Sequence, residues 1–139
     1  MTDARVSELK VLVVDDSRVV IKLLQVMMGN LGVTDIDVAA DASEAEEKMK
    51  NKPYDALFLD WRMSGKSGVA LLEQCRGDRA YDKVAFVIVS GEAGQPSIDS
   101  AMKSGATSYI VKPFNSQVLQ GHLDKVVKWL DDNGRFGKT

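Results

Sequence analysis

Two adjacent carboxylates, Asp15 and Asp16, follow the apolar run Val11-Leu12-Val13-Val14, and a third, Asp60, follows Ala56-Leu57-Phe58-Leu59. Ser90 stands directly after Val84-Ala85-Phe86-Val87-Ile88-Val89, and Lys112-Pro113 directly after Tyr109-Ile110-Val111. Three carboxylates brought together repel one another and bind protons more tightly unless a cation intervenes. A hard divalent ion such as Mg²⁺ (or Mn²⁺) relieves that repulsion, accepts oxygen ligands and can share them with a phosphate. Phosphoryl transfer needs positioning and charge neutralisation above all. Asp60 would then supply a nucleophilic oxygen. Lys112 would balance charge on the transferred oxygens, and Ser90 would donate a hydrogen bond to them.

That chemistry requires the chain to bring four distant segments together. The short apolar runs read as strands buried on both faces. Asp35-Ile36-Asp37-Val38 alternates acid with apolar and reads as an edge strand. Helix-period segments separate the runs: Val20, Leu23, Leu24, Met27 and Leu31 before Gly32; a capping box at Ser43 to Glu46; and Val69, Leu72 and Cys75. Ile98, Ala101 and Met102 mark a fourth helix. Leu119, Leu123, Val126, Val127 and Leu130 mark a fifth, capped at Asn115 or Ser116. Strict strand-helix alternation predicts an α/β fold: a flavodoxin-like, doubly wound, five-stranded parallel sheet in the order 2-1-3-4-5. Such a sheet puts every strand's carboxyl end on one rim, and with it Asp15, Asp16, Asp60, Ser90 and Lys112.

Composition narrows the function further. The chain has 139 residues, enough for one domain with a sizeable core. With 45% apolar and 27% charged residues and a net charge of −2, no global basic field recruits nucleic acid or a membrane. The single cysteine, Cys75, excludes a disulfide framework and a multi-cysteine zinc site. The acidic N-terminus is no secretory signal, and no apolar run is long enough to insert in a bilayer, so a cytoplasmic location is expected. Residues 1–8 and 131–139 read as polar, mobile ends around a domain spanning 9–130.

Each motif alone has an ordinary explanation, as a turn aspartate, a helix cap or a solvated loop lysine. Taken together, Val13-Val14-Asp15-Asp16-Ser17, Leu59-Asp60-Trp61-Arg62-Met63, Val89-Ser90-Gly91-Glu92-Ala93 and the stretch from Gly105 to Phe114 resemble the response-regulator receiver family. Within it, they resemble the stand-alone chemotaxis regulators. The resemblance runs from Leu9 to Leu130 and implies a two-component signalling switch that a histidine kinase phosphorylates on Asp60. It implies direct Mg²⁺ ligation by Asp16, Asp60 and the Arg62 carbonyl, with Asp15 acting through water. Ser90 takes the switch-hydroxyl position, Lys112 that of the phosphate-binding lysine, and Tyr109 that of the aromatic that moves on activation. The family's bond before Pro113 is cis. A partner face including Ile98, Met102, Tyr109, Val111 and His122 would engage a downstream protein, for instance a flagellar switch protein.

The sequence departs from the family at Ser64, where proline is common, and at Ser90, where threonine is commoner. Gly68 matches a family glycine. Arg62 and Glu92 fall at positions that tune phosphoryl lifetime, and opposite charges there would pair across the pocket mouth. A single-domain phosphorelay protein or a non-motor regulator would share all these features. An aspartyl-phosphate phosphatase of the haloacid dehalogenase type would need a general acid two residues after its nucleophile, where this chain has Arg62. A flavin or dinucleotide binder would need glycines after the first strand, where this chain has Asp15-Asp16-Ser17. The expected protein is a monomeric phosphoacceptor rather than an enzyme acting on other substrates, with no direct contact to DNA.

Overall fold

The computed structural model describes residues 4–63 and 65–136; expectations for residues 1–3, Ser64 and 137–139 lie outside them. Five strands, β1 (Lys10–Val14), β2 (Asp35–Ala39), β3 (Ala56–Asp60), β4 (Ala85–Ser90) and β5 (Ser108–Val111), alternate with five helices. These are α1 (Arg18–Asn30), α2 (Ala42–Asn51), α3 (Gly68–Arg76), α4 (Gln95–Lys103) and α5 (Ser116–Asp132). All strand pairs are parallel, and the order is β2-β1-β3-β4-β5. The fold is flavodoxin-like, as the alternation predicts, with β2 at an edge.

Side-chain alternation divides the core into two layers. Val11, Val13, Phe58, Val87, Val89 and Ile110 pack with Leu24 and Met28 of α1 and with the apolar face of α5. Leu12, Val14, Leu57, Leu59, Phe86 and Ile88 point the other way, against α2, α3 and Ala101 of α4. Burying both faces of β3 and β4 leaves no room for polar residues until the strand ends, which is why Asp60 and Ser90 stand where the apolar runs stop.

Local chemistry fixes the helix starts. Ser17, Ser67 and Asn115 cap α1, α3 and α5 through their side-chain oxygens. The second helix begins earlier than the proposed box at Ser43. Asp41 accepts the Glu44 N–H at 2.8 Å, and the Glu44 carboxylate accepts the Ala40 N–H at 3.3 Å. An aspartate two positions upstream is a better acceptor than the Ser43 hydroxyl, and it leaves Ala42 and Ala45 free to be buried.

Within the expected polar ends at 1–8 and 131–139, the described residues 4–8 and 131–136 make contacts with the domain. Ala4–Glu8 form a short 3-10 helix whose Val6 is only 2% exposed, and Arg5 pairs with Asp131 at 3.2 Å. At the other end Arg135 reaches Asp55 at 2.6 Å, and Phe136 packs on the core. Isolated apolar residues among polar ones, Val6 and Phe136, found a surface that their local pattern did not announce.

One glycine is required by contact. A Cβ on Gly68 would lie 2.1 Å from the Asp60 carbonyl oxygen, so α3 can start against the end of β3 only without a side chain. Gly68→Ala should therefore lower stability by about 1–3 kcal/mol, the usual range for overpacking. Gly121→Ala, in open space on α5, should raise it by about 1 kcal/mol. Urea unfolding midpoints of the two variants check both signs.

Candidate phosphoacceptor and metal site

The rim beyond the strand ends holds the polar residues that the core excludes. Asp15 follows β1 directly and is only 1% exposed; its Oδ1 accepts the Ser17 N–H at 2.8 Å. That local turn orients the carboxylate while the Ser17 hydroxyl caps α1, so three consecutive residues set both the site and the helix. Asp16 lies between them on the exposed side. Asp60 ends β3 and is 8% exposed, with its Oδ1 accepting the Arg62 N–H at 3.4 Å. Ligand oxygens of Asp15, Asp16 and Asp60 all lie within 4.8 Å of one another.

Lys112 closes the group. Its ammonium is 3.2 Å from Asp15 Oδ2 and 3.5 Å from Asp60 Oδ1. The Lys112 N–H donates to the Ser90 carbonyl at 2.7 Å, which ties the end of β5 to the end of β4, and the Lys112–Pro113 bond is cis. Burial, then the Asp15 charge, raises the Asp60 pKa; Lys112 and the Arg62 amide act the other way. Burial contributes most to that rise, and the single ammonium does not cancel it. Three hard oxygen donors within 4.8 Å of one another fit a small divalent cation.

A second set of contacts joins the rim to the β5 side. The Ser90 hydroxyl accepts the Glu92 N–H at 3.1 Å, and the Tyr109 hydroxyl donates to the Glu92 carbonyl at 2.8 Å. The Glu92 carboxylate takes Arg62 Nε at 3.1 Å and a terminal guanidinium nitrogen at 3.0 Å. Glu92 therefore touches Ser90, Tyr109 and Arg62 at once.

The residue 11–124 segment matches the model of the response regulator receiver domain. The chain belongs to the response regulator receiver domain family. It is 33% identical to the chemotaxis protein CheY1 of Helicobacter pylori over 120 residues, covering 86% of this chain and 97% of that one. It is 31% identical to the chemotaxis protein CheY of Pseudomonas aeruginosa over 118 residues, 85% and 95% of the two chains. Among solved structures, the chemotaxis response regulator CheY4 of Vibrio cholerae superposes with a TM-score of 0.79 at 27% identity, covering 85% and 98%. The receiver is thus a phosphoacceptor with an acidic pocket of the kind typical for Mg²⁺ in this family.

The sequence reading brought Asp15, Asp16, Asp60 and Lys112 to one receiver pocket, and the geometry does so. Ser90 and Glu92 line its β4 side, and Arg62 reaches over from β3. Of the suggested partner face, Met102 is exposed, while Ile98, Tyr109 and Val111 are half-buried. His122 is half-buried as well, and its Nδ1 bonds the buried Ser108 hydroxyl, so the ring is turned to β5. Burial, with Lys125 nearby, lowers its pKa. An internal partner on β5 cannot be read from helix periodicity. The sequence also gave no sign of Arg76, whose guanidinium donates to the carbonyls of Gly105 and Tyr81 and covers the Phe86 ring, fastening α3 to the loop that leads into β5.

A raised pKa in the fold means that ionised Asp60 opposes folding. The penalty is complete above the folded pKa and vanishes below the ordinary value of 3.8. In EDTA at neutral pH, Asp60→Asn should melt above the wild type, and the gap should close as the pH falls towards that value. Mg²⁺ should raise the Tm of the wild-type receiver and leave the variant nearly unchanged. Differential scanning calorimetry with and without metal measures all three.

Proposed function

We propose that the receiver is a chemotaxis-type switch that accepts a phosphoryl group from a histidine kinase onto Asp60 and thereby alters a protein-binding face. The observation that carries this reading is the position of Asp60, its carboxylate set among Asp15, Asp16 and Lys112 at the rim. Its relatives named for chemotaxis support the pathway.

Asp16 and Asp60 would hold the cation with the Arg62 carbonyl, and Asp15 through water. A divalent cation there supplies charge neutralisation for the incoming phosphoryl oxygens. An Asp60 carboxylate oxygen attacks phosphorus in line with the donor's P–N bond. That bond breaks, the imidazole leaves with its electron pair, and a mixed anhydride forms on Asp60. The Lys112 ammonium exchanges its contact with Asp60 for a phosphoryl oxygen, which keeps its charge paired. The Ser90 hydroxyl turns to donate to another oxygen and in doing so gives up the Glu92 N–H. Glu92 also accepts from Tyr109, so this exchange loosens the β4–α4 connection and changes what Tyr109, Met102 and Ile98 present.

Exposed apolar side chains on the helix that follows the acidic pair, Val19, Leu23 and Val26 of α1, suit the landing of a donor domain. At the pocket mouth, Arg62 and Glu92 screen the anhydride from water. The Arg62 side chain is 78% exposed, so the pair is worth at most about 1 kcal/mol.

Acetyl phosphate with Mg²⁺ should add one phosphoryl group to the wild type by intact mass, and none to Asp60→Asn. A wild-type protein that stays unmodified, or a variant modified equally well, would overturn the reading. Capture of a flagellar switch protein by the phosphorylated form supports the chemotaxis role; onward transfer to a histidine phosphotransfer domain would replace it with a relay. Arg62→Ala should shorten the phosphoryl lifetime by up to about fivefold, the equivalent of such an exposed pair. Radiolabel decay of the isolated phosphoprotein measures it.

A further inference from the structure

A cavity of about 620 Å³ lies at the other end of the sheet, where β3 and β4 begin. Its volume falls within the range of about 300–1,000 Å³ found for small-molecule sites. The lining includes Asp55, which precedes β3, and Val84, which precedes β4, so the full length of both strands separates it from Asp60 and Ser90. Nothing in the phosphoacceptor reading uses it.

Its charge is opposite to that of the chain. The lining carries Lys50, Lys52, Lys83 and Arg135 against the single carboxylate of Asp55, in a protein whose net charge is −2. Two of the cations are already committed. Arg135 neutralises Asp55 at 2.6 Å, and Lys52 holds Asp35 at 2.8 Å and Asp37 at 3.0 Å. Among the described residues neither Lys50 nor Lys83 has an acidic partner. They come from different walls, the last turn of α2 and the turn entering β4, and both are exposed to the cavity mouth. Two lysines without an acidic partner lining one concave space favour an anion bearing more than one charge.

Most of the remaining lining is apolar or aromatic, with the amides of Asn51 and Asn133 among it. Pro53 and Tyr81 form accessible surface, and Val84, Leu130 and Met49 close the floor behind them. An inorganic anion would leave that surface wet, whereas a flat, weakly polar body would cover it. A planar base can lie on a tyrosine ring with little demand on sequence or orientation.

We propose that this basal cavity binds an organic polyanion of the nucleoside-phosphate class, with its phosphates on Lys50 and Lys83 and its base against Tyr81 and Pro53. The site is independent of phosphoryl transfer at Asp60, and its occupancy is read without Mg²⁺.

ATP serves as the probe, in EDTA so that no metal bridges it to the acidic rim, with binding followed by calorimetry and by amide chemical shifts of the full chain. One saturable site is expected, with shifts confined to residues 49–55, 80–84 and 130–135. Lys50→Ala with Lys83→Ala should weaken ATP about tenfold, equivalent to about 1.4 kcal/mol. Both side chains are exposed, so phosphorylation by acetyl phosphate should be unchanged in the double variant, which also verifies its fold. Tyr81→Ala should weaken ATP but not tripolyphosphate. Any of four results overturns the proposal: no saturation below about 5 mM, shifts centred on Asp60 and Lys112, adenosine binding as tightly as ATP, or tripolyphosphate binding as tightly as ATP. Absence of acetyl-phosphate labelling in the wild type, with ATP binding intact, would instead refute the phosphoacceptor reading alone.

Discussion

Mutual repulsion among Asp15, Asp16 and Asp60 is the constraint on which the rest of the molecule turns. Two of the three are almost wholly buried, and one ammonium, that of Lys112, stands between them. Such a group gains from a cation that shares its charge. The apolar core has to hold it in place. The two packed layers around β1, β3 and β4 fix the strand ends, and the strand ends fix the carboxylates. The acidic cluster is thus set on a rigid base.

Glu92 ties the rim to the β5 side of the molecule. Its amide bonds Ser90, its carbonyl takes the Tyr109 hydroxyl and its carboxylate takes Arg62. Three bonds from one residue link the phosphoacceptor side of the pocket to the side that faces β5 and α4. None of them is strong alone; the Arg62 pair is largely in water and contributes little. They share Glu92 as a common anchor.

Charge is divided along the sheet. Acidic groups gather where the strands end, and cations gather where β3 and β4 begin, although the chain as a whole is nearly balanced. The parallel arrangement produces this separation readily, since all strand starts lie on one side and all strand ends on the other. The two rims can accordingly meet ligands of opposite preference, one a cation and the other an anion.

The amino-acid order alone determined the sheet and its order, because doubly buried strands must be continuous apolar runs and helices must repeat at their own period. It determined the pocket too: Asp15, Asp16, Asp60 and Lys112 each stop an apolar run, so topology leaves them a single rim. Other features depend on neighbours remote in sequence, and there local pattern was silent or misleading. Val6 and Phe136 look like isolated apolar residues in polar tails, yet both pack on the core. His122 looks like a free helix-surface residue, but its ring nitrogen meets Ser108 across the α5–β5 seam. Gly68 could be recognised as a family glycine, whereas the reason for it, the carbonyl of Asp60 2.1 Å from any Cβ, exists only once α3 docks on β3. Periodicity reports which face of an element is buried; which partner waits on that face is decided by the packing of the whole chain.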